Sequence, residues 1–280
     1  MNLIDTHCHI HDTKYDFAPD VVENAQKAGV TRMITVGTDV ADSRAAVELA
    51  RAREGVFATV GIHPGTISIR SDLIEMVAEL EGVIRSDLIS KKGATGADIR
   101  SDLVIVGLGD IGLDYHYPGF DREKQIELFE KQLELAVKYD LPVAFHVRDL
   151  PARERTQAGA FDDFWAVLDK FPGVCGALHC FTDSVENLQR GLARGLYVSV
   201  NGLVTFNQNP ELAEVYKQIP LDRLLFETDA PYLAPVPYRG KPSQPAQVVE
   251  VARFWADLHD LSLDEVAKAT TANAKKVFGL

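Results

Sequence analysis

The sequence predicts a (β/α)8 TIM barrel, an α/β fold, on three observations. Short apolar runs alternate with longer amphipathic segments from end to end. Eight such runs can be found, enough for a parallel sheet closed on itself and covered by helices. The length of 280 residues suits one such domain, usually roughly 250 residues long. A doubly wound open sheet is the alternative. It would prefer a glycine fingerprint after the first strand, and none stands there. Residues 1–280 are therefore expected to form a single domain.

The predicted strands are residues 3–10, 32–38, 57–62, 104–109, 143–147, 176–180, 196–200 and 224–228. Helical patterns lie between them. In "DREKQIELFEKQLELAVKYD", Ile126, Phe129, Leu133 and Ala136 recur at three- and four-residue spacing and form one apolar stripe. Asp121 and the acidic residues after it suit a helix start. In "PAQVVEVARFWADLHD", Val248, Val251, Trp255 and Leu258 share a face. One segment breaks the rhythm. "IRSDL" occurs at 69–73, 84–88 and 99–103, a strict 15-residue spacing. That period is short for a solenoid. It reads as a local duplication that extends the segment at about 66–103, lengthening a helix and a surface loop. The "SKKGATGAD" that follows the middle copy is polar and Gly-rich, as a loop should be.

Composition excludes some functions. The net charge is −12, so the chain is not a general nucleic-acid coat, which grips phosphates by positive charge. It can still act on a phosphodiester if metal ions supply the positive charge locally. The three cysteines, Cys8, Cys175 and Cys180, are odd in number and form no CxxC. They are expected to be small buried apolar groups. No signal peptide is visible, and no apolar run approaches the roughly 18 residues of a membrane span. A reducing, cytoplasmic setting is expected, with no membrane association and no obligate protein partner.

The chemistry starts in "LIDTHCHIHD", residues 3–12. On a strand, Asp5, His7, His9 and His11 share one face. His7 and His9 are then about 6.6 Å apart at Cα and can lean onto one ion. Asp5 lies one step deeper and is suited to orienting a ligand by hydrogen bond. His11 is about 13 Å from His7, which makes it a loop residue or a distant substrate contact. His63, Asp110, His146, His179 and Asp229 end further predicted strands. In a parallel barrel the C-terminal strand ends share one rim, where such folds keep their chemistry. Buried imidazoles and carboxylates are costly unless paired or metal-bound. A single one is most simply a hydrogen-bonded core residue, but that reading must hold separately at every strand end. His116, in a loop, and His259, on the last long helix, lack this placement and are expected to face solvent. Imidazole and carboxylate suit Zn, Mn, Mg, Fe, Co or Ni ions, among which the sequence does not choose. Four His and two Asp exceed one tetrahedral ion and suit two ions sharing a carboxylate.

Together, D-x-H-x-H on the first strand, "GIHP", "GDIGLD", "PVAFHVRD", "HCF", "ETDAPYLAP", "YRGKP" and the closing "TTANAKKVFG" resemble the TatD family of metal-dependent hydrolases, within the amidohydrolase-like barrels. The motifs come in the family's order and span Asp5 to Asn273. The resemblance implies two divalent metal ions and hydrolysis of phosphodiesters, typically at the 3′ ends of DNA. It implies that His7, His9 and Asp229 hold one ion, that His146 and His179 hold the second, and that Asp110 bridges them. It implies Asp229 as general base, with His63 and Arg148 near the substrate phosphate. Arg239 and Lys241 are further basic groups for the substrate or, on the plainer reading, a solvated loop.

Two positions depart from the family pattern. Position 110 is Asp where the family has Glu, which shortens the reach by about one bond, roughly 1.5 Å. Either the strand end shifts inward, or the bridge is asymmetric and the second ion binds weakly. Ser243 stands where relatives carry Asn. Two other readings remain open at this level. The same ligands serve a metal-dependent amide, ester or lactone hydrolase, and a scaffold of this kind can also be a non-catalytic binding barrel.

Overall fold

The computed structural model describes residues 2–12, 20–67, 72–89, 103–150 and 159–280. All eight predicted strands form: β1 (Leu3–Cys8), β2 (Val30–Val36), β3 (Val56–Val60), β4 (Ile105–Asp114), β5 (Val143–Arg148), β6 (Gly176–Leu178), β7 (Tyr197–Val200) and β8 (Leu224–Phe226). They make one sheet in the order β1 to β8. The helices between and after them are α1 (Val21–Lys27), α2 (Val40–Ala52), α3 (Leu73–Ile89), α4 (Arg122–Tyr139), α5 (Ala160–Leu168), α6 (Val185–Ala193), α7 (Pro210–Lys217), α8 (Val248–Leu258) and α9 (Leu263–Phe278). Strand and helix alternate as a (β/α)8 fold requires. No helix among the described residues is long and apolar enough to cross a membrane.

Residue contacts group the chain into two compact units. The first comprises Met1–Thr35, Glu48–Phe57 and Ala177–Leu280. Here β1 pairs in parallel with β2, and β7 with β6 and β8. Cys8 bridges in parallel to Ala230, which joins the end of β1 to the chain leaving β8. Every residue of β1 is buried. Helix α9 packs on β1 and β8. It opens with a Ser262–Glu265 capping box and ends on Gly279 at φ 67°. Its Asn273 Nδ2 donates to Leu221 O (2.8 Å) and Leu224 O (2.9 Å), tying the helix to the start of β8. In α8, Val248, Val251 and Trp255 are buried as predicted, while Leu258 is half-buried.

The second unit comprises Val36–Val47 and Ala58–Gly176. Strands β3, β4 and β5 pair in parallel. Gly61 sits against the β4 backbone, where a Cβ would stand 2.1 Å from Gly109 O. The core is aromatic. Phe145 meets Phe164 at 5.2 Å and Phe129 meets Phe164 at 5.6 Å between ring centroids, all three fully buried. Each such ring contributes about 1.5–3 kcal/mol by burial.

Helix α4 corrects the predicted stripe. Phe129, Leu133 and Ala136 are buried, but Ile126 is half-buried and two glutamines are inside. Gln132 accepts from Ile62 N (2.8 Å) and donates to Ile62 O (3.0 Å). Gln125 does the same at Asp114 N and O, both 2.8 Å. The glutamines are two turns apart on one helix face, and each clamps the backbone beside a chemistry-bearing strand end.

The repeats behave unlike one another. Asp72, in the first copy, caps α3 through Ile74 N (3.0 Å) and Glu75 N (3.1 Å). The middle copy lies within α3, where buried Asp87 accepts from Val104 N (3.1 Å) and Ile105 N (3.0 Å) and anchors the start of β4. The "SKKGATGAD" stretch and most of the third copy lie outside the described residues. Of the cysteines, Cys8 is buried and Cys180 half-buried, but Cys175 is exposed just before β6, against expectation.

Candidate metal centre

In the first unit the cluster is built on β1. His7 is buried and stacks flat on His179, ring centroids 3.9 Å apart and planes within 10°. His9, one residue past the strand, meets His7 edge-on at 5.1 Å. Asp229 follows β8, held at φ 55°. Its Oδ1 is 3.8 Å from His7 Nε2 and 3.5 Å from His9 Nε2. These separations exceed the hydrogen-bond range. Two ligands at about 2.1 Å from one tetrahedral ion lie about 3.4 Å apart, which is near what is seen. His7, His179 and Asp229 each offer a ligand atom, all within 4.8 Å of one another. The imidazole and carboxylate donors fit a divalent transition metal.

Asp5 is wholly buried beneath this cluster. It accepts from Thr228 N (2.9 Å), Thr228 Oγ1 (2.6 Å) and His7 N (3.3 Å). It therefore braces the cluster through backbone and through Thr228 rather than through an imidazole. Burial pushes its carboxyl up to about 8, against the hydrogen bonds from Thr228 and His7. Glu227, which the sequence reading left without a role, is also fully buried. Its Oε1 accepts from Cys180 N (2.8 Å) and Asn201 Nδ2 (3.1 Å) and lies 3.4 Å from His179 Nδ1. A carboxylate behind a ligating His is a common way to fix its ring. The sequence signal was present, a lone acid inside the apolar run "LLFET".

His11 corrects the strand reading. It is buried, with Nδ1 2.6 Å from Thr35 Oγ1 on β2. The chain turns after β1, so His11 is a loop residue, one of the two expectations, but its ring packs inward instead of continuing the line of the strand. His259 caps the end of α8, not the last helix, and stacks on Trp255 at 4.5 Å. His116 is likewise half-buried.

In the second unit, β4 does not end before Asp110. It runs on to Asp114, with a register shift between Gly109 and Ile111 and Asp110 at φ 40°. Such a bulge re-aims the side chain at its centre. Asp110 Oδ1 lies 3.4 Å from His146 Nδ1, again the spacing of two ligands rather than of a hydrogen bond. The other nitrogen of His146, Nε2, donates to Asp114 Oδ2 at 3.0 Å. Burial opposes ionisation of Asp114, but the hydrogen bond and charge of His146 outweigh it and hold the carboxyl below its usual range. Asp114 thus sets which nitrogen of His146 is presented. It escaped the sequence reading because the strand was ended too soon, although 110 and 114 have the parity of one face. His63 caps a turn of 3-10 helix after β3 and meets His146 edge-on at 4.4 Å. His63, Asp114 and His146 also offer ligand atoms within 4.8 Å of one another. Arg148, at the exposed end of β5, lies over the Tyr117 ring at 5.2 Å and donates to Tyr117 Oη at 3.2 Å.

A family model described as TatD related DNase matches residues 4–279. The chain belongs to the TatD family. It is a metal-dependent hydrolase on a (β/α)8 barrel. YabD of Bacillus subtilis (strain 168), named an uncharacterized metal-dependent hydrolase, is 34% identical over 279 residues, which is 99% of this chain and 98% of that protein. The 3′-5′ ssDNA/RNA exonuclease TatD of Shigella flexneri serotype 5b (strain 8401) is 32% identical over 271 residues, 93% of this chain and 92% of that protein. The crystal structure of YjjV, a TatD homologue from Escherichia coli K12, superposes with a TM-score of 0.82 at 28% identity, covering 99% and 98% of the two chains.

Proposed function

We propose that this TatD-family chain is a phosphodiesterase that removes nucleotides from the 3′ ends of single-stranded nucleic acid, with residues 1–280 acting as one domain. His7, His9, Asp110, His146, His179 and Asp229 would hold two divalent ions. The observation that carries the reading is the cluster of His7, His9 and Asp229, with nitrogen–oxygen separations of 3.5 and 3.8 Å. The named exonuclease TatD, 32% identical, supports the substrate class. When bound, the ions supply Lewis-acid polarisation of the phosphoryl group and activation of water.

The chain's own residues do the rest. Asp229 stands at the partly open edge of the cluster and takes the proton of the attacking water. His146, with Nε2 engaged by Asp114, presents Nδ1. His63 and Arg148 lie by the scissile phosphate. Arg148 keeps a positive charge there, braced on Tyr117. Asp5 fixes β1 to Thr228 and so sets the spacing of His7, His9 and Asp229. The test is a screen of metal-loaded protein against end-labelled single-stranded DNA, RNA, cyclic nucleotides and simple esters. Release of 3′-terminal nucleotides from single strands, lost by at least a hundredfold in Asp229→Asn, is expected for a general base. Turnover of esters or amides alone would overturn the nuclease reading.

A further inference from the structure

The loop after β8 brings large apolar side chains to the surface. Tyr232 is 49% exposed, Val236 46% and Tyr238 38%. Single exposed apolar groups need no explanation. These three stand close together in sequence on a braced backbone. Tyr232 N donates to Asp229 O (2.8 Å), and Ser243 N to Pro231 O (2.9 Å). Val236 N donates to Thr205 Oγ1 (3.0 Å), and Arg239 Nη1 to Ala234 O (2.9 Å). The Arg239 guanidinium lies 3.6 Å over the Phe206 ring. Gly202 permits the close approach, since a Cβ there would stand 1.9 Å from Leu233 O. The loop is thus held in place by contacts that leave the Tyr232 ring half open.

That ring is beside the chemistry. Tyr232 meets His9 edge-on, ring centroids 6.4 Å apart, and His9 Nε2 is 3.5 Å from Asp229 Oδ1. A half-exposed phenol bordering a ligand cluster is what a single-strand binder uses. Bases stack on aromatic faces whatever their identity, because each has a π-face. The need for such a contact is clear here. A net charge of −12 offers little long-range attraction to phosphates, so a short-range stacking contact that salt does not screen adds to what the metal cluster and Arg148 supply.

We propose that Tyr232 is the stacking platform for the base of the 3′-terminal nucleotide, whose phosphate is held at the His7–His9–Asp229 cluster. The proposal rests on the nuclease reading above. It makes Tyr232 a substrate-binding residue that accepts any base and needs that base unpaired.

The experiment uses the metal-loaded full chain and a short single-stranded oligonucleotide. Its 3′-terminal base is 2-aminopurine and its last linkage a hydrolysis-resistant phosphorothioate. Wild type is expected to quench 2-aminopurine on binding. Tyr232→Ala is expected to lose the quench and bind about tenfold more weakly, within the range for one stacked base. Tyr232→Phe keeps both, and Tyr232→Leu, which retains bulk, loses the quench. An oligonucleotide abasic at its 3′ end is expected to bind wild type and Tyr232→Ala equally. Circular dichroism confirms that each variant is folded. Equal quench and affinity in wild type and Tyr232→Ala overturn the stacking proposal and leave the nuclease reading standing. So does a loss in Tyr232→Ala that is as large for the abasic end. Wild type that neither binds nor trims single strands overturns both.

Discussion

Asp110 shows how much a single position decides. Its φ of 40° belongs to the left-handed region, where Asp is tolerated better than most residues with a Cβ. The short carboxylate that looks like a loss of reach in the sequence sits at a bulge that re-aims it, and its Oδ1 arrives 3.4 Å from His146 Nδ1. An inward shift of the strand end and an asymmetric bridge predict different metal contents. Metal counting on the purified protein decides whether the shift suffices. Two tightly held ions per chain are expected, and Asp110→Glu is expected to bring no further ion while lowering stability by about 1 kcal/mol through backbone strain. One ion in the wild type, rising to two in Asp110→Glu, would favour the asymmetric bridge instead. His259 gives a separate test by pH. Burial depresses its pKa below the ordinary imidazole value. The unfolded chain therefore binds the extra proton first as pH falls below about 6.5, and stability falls with pH across that window. Urea midpoints at pH 7.5 and 5.5 are expected to drop further in the wild type than in His259→Gln. A larger drop in the variant would contradict the assignment.

At the scale of elements, α4 does more than cover the sheet. Phe129 and Leu133 give it an apolar stripe, and that much follows from periodicity. Gln125 and Gln132 are buried beside that stripe. In the fold each closes a two-point clamp on a strand end, at Asp114 and at Ile62 next to His63. Gln132→Leu fits the volume but leaves the Ile62 N–H and C=O without that side chain. Each lost partner costs about 1–3 kcal/mol when the group is buried. A loss of at least about 2 kcal/mol in denaturant unfolding is expected, and an unchanged midpoint would show that the clamp is dispensable. The repeats carry the same lesson. Asp72 and Asp87 occupy the same place in identical pentapeptides, yet one caps a helix and the other anchors β4. Local sequence is shared, while the partner is supplied by whatever element arrives next to it.

At the scale of the whole molecule, the His and Asp clusters offer imidazole and carboxylate donors close enough together to hold a divalent cation. Binding to the folded chain and not to the unfolded one stabilises it by mass action, by about 2.7 kcal/mol at a hundredfold excess over Kd. For a chain of 280 residues that is a rise in Tm of roughly 5 °C. A thermal scan with Zn or Mn against chelator is expected to show it, reversing on chelation, and no shift with any divalent ion would remove these clusters as metal sites. The strand count, the order of elements and the placing of His7, His9, His146, His179 and Asp229 at or near strand ends were legible in the sequence. Alternating apolar runs and strand-end polar residues are local signals with a fixed period. What only the tertiary structure decided were the partners. Asp114 behind His146, Glu227 behind His179, the two glutamine clamps, the burial of His11 against Thr35 and the exposure of Tyr232 beside His9 are contacts between residues distant in the chain or placed by a bulge or turn. Periodicity says which way a side chain points along its own strand. Only packing says what it meets there.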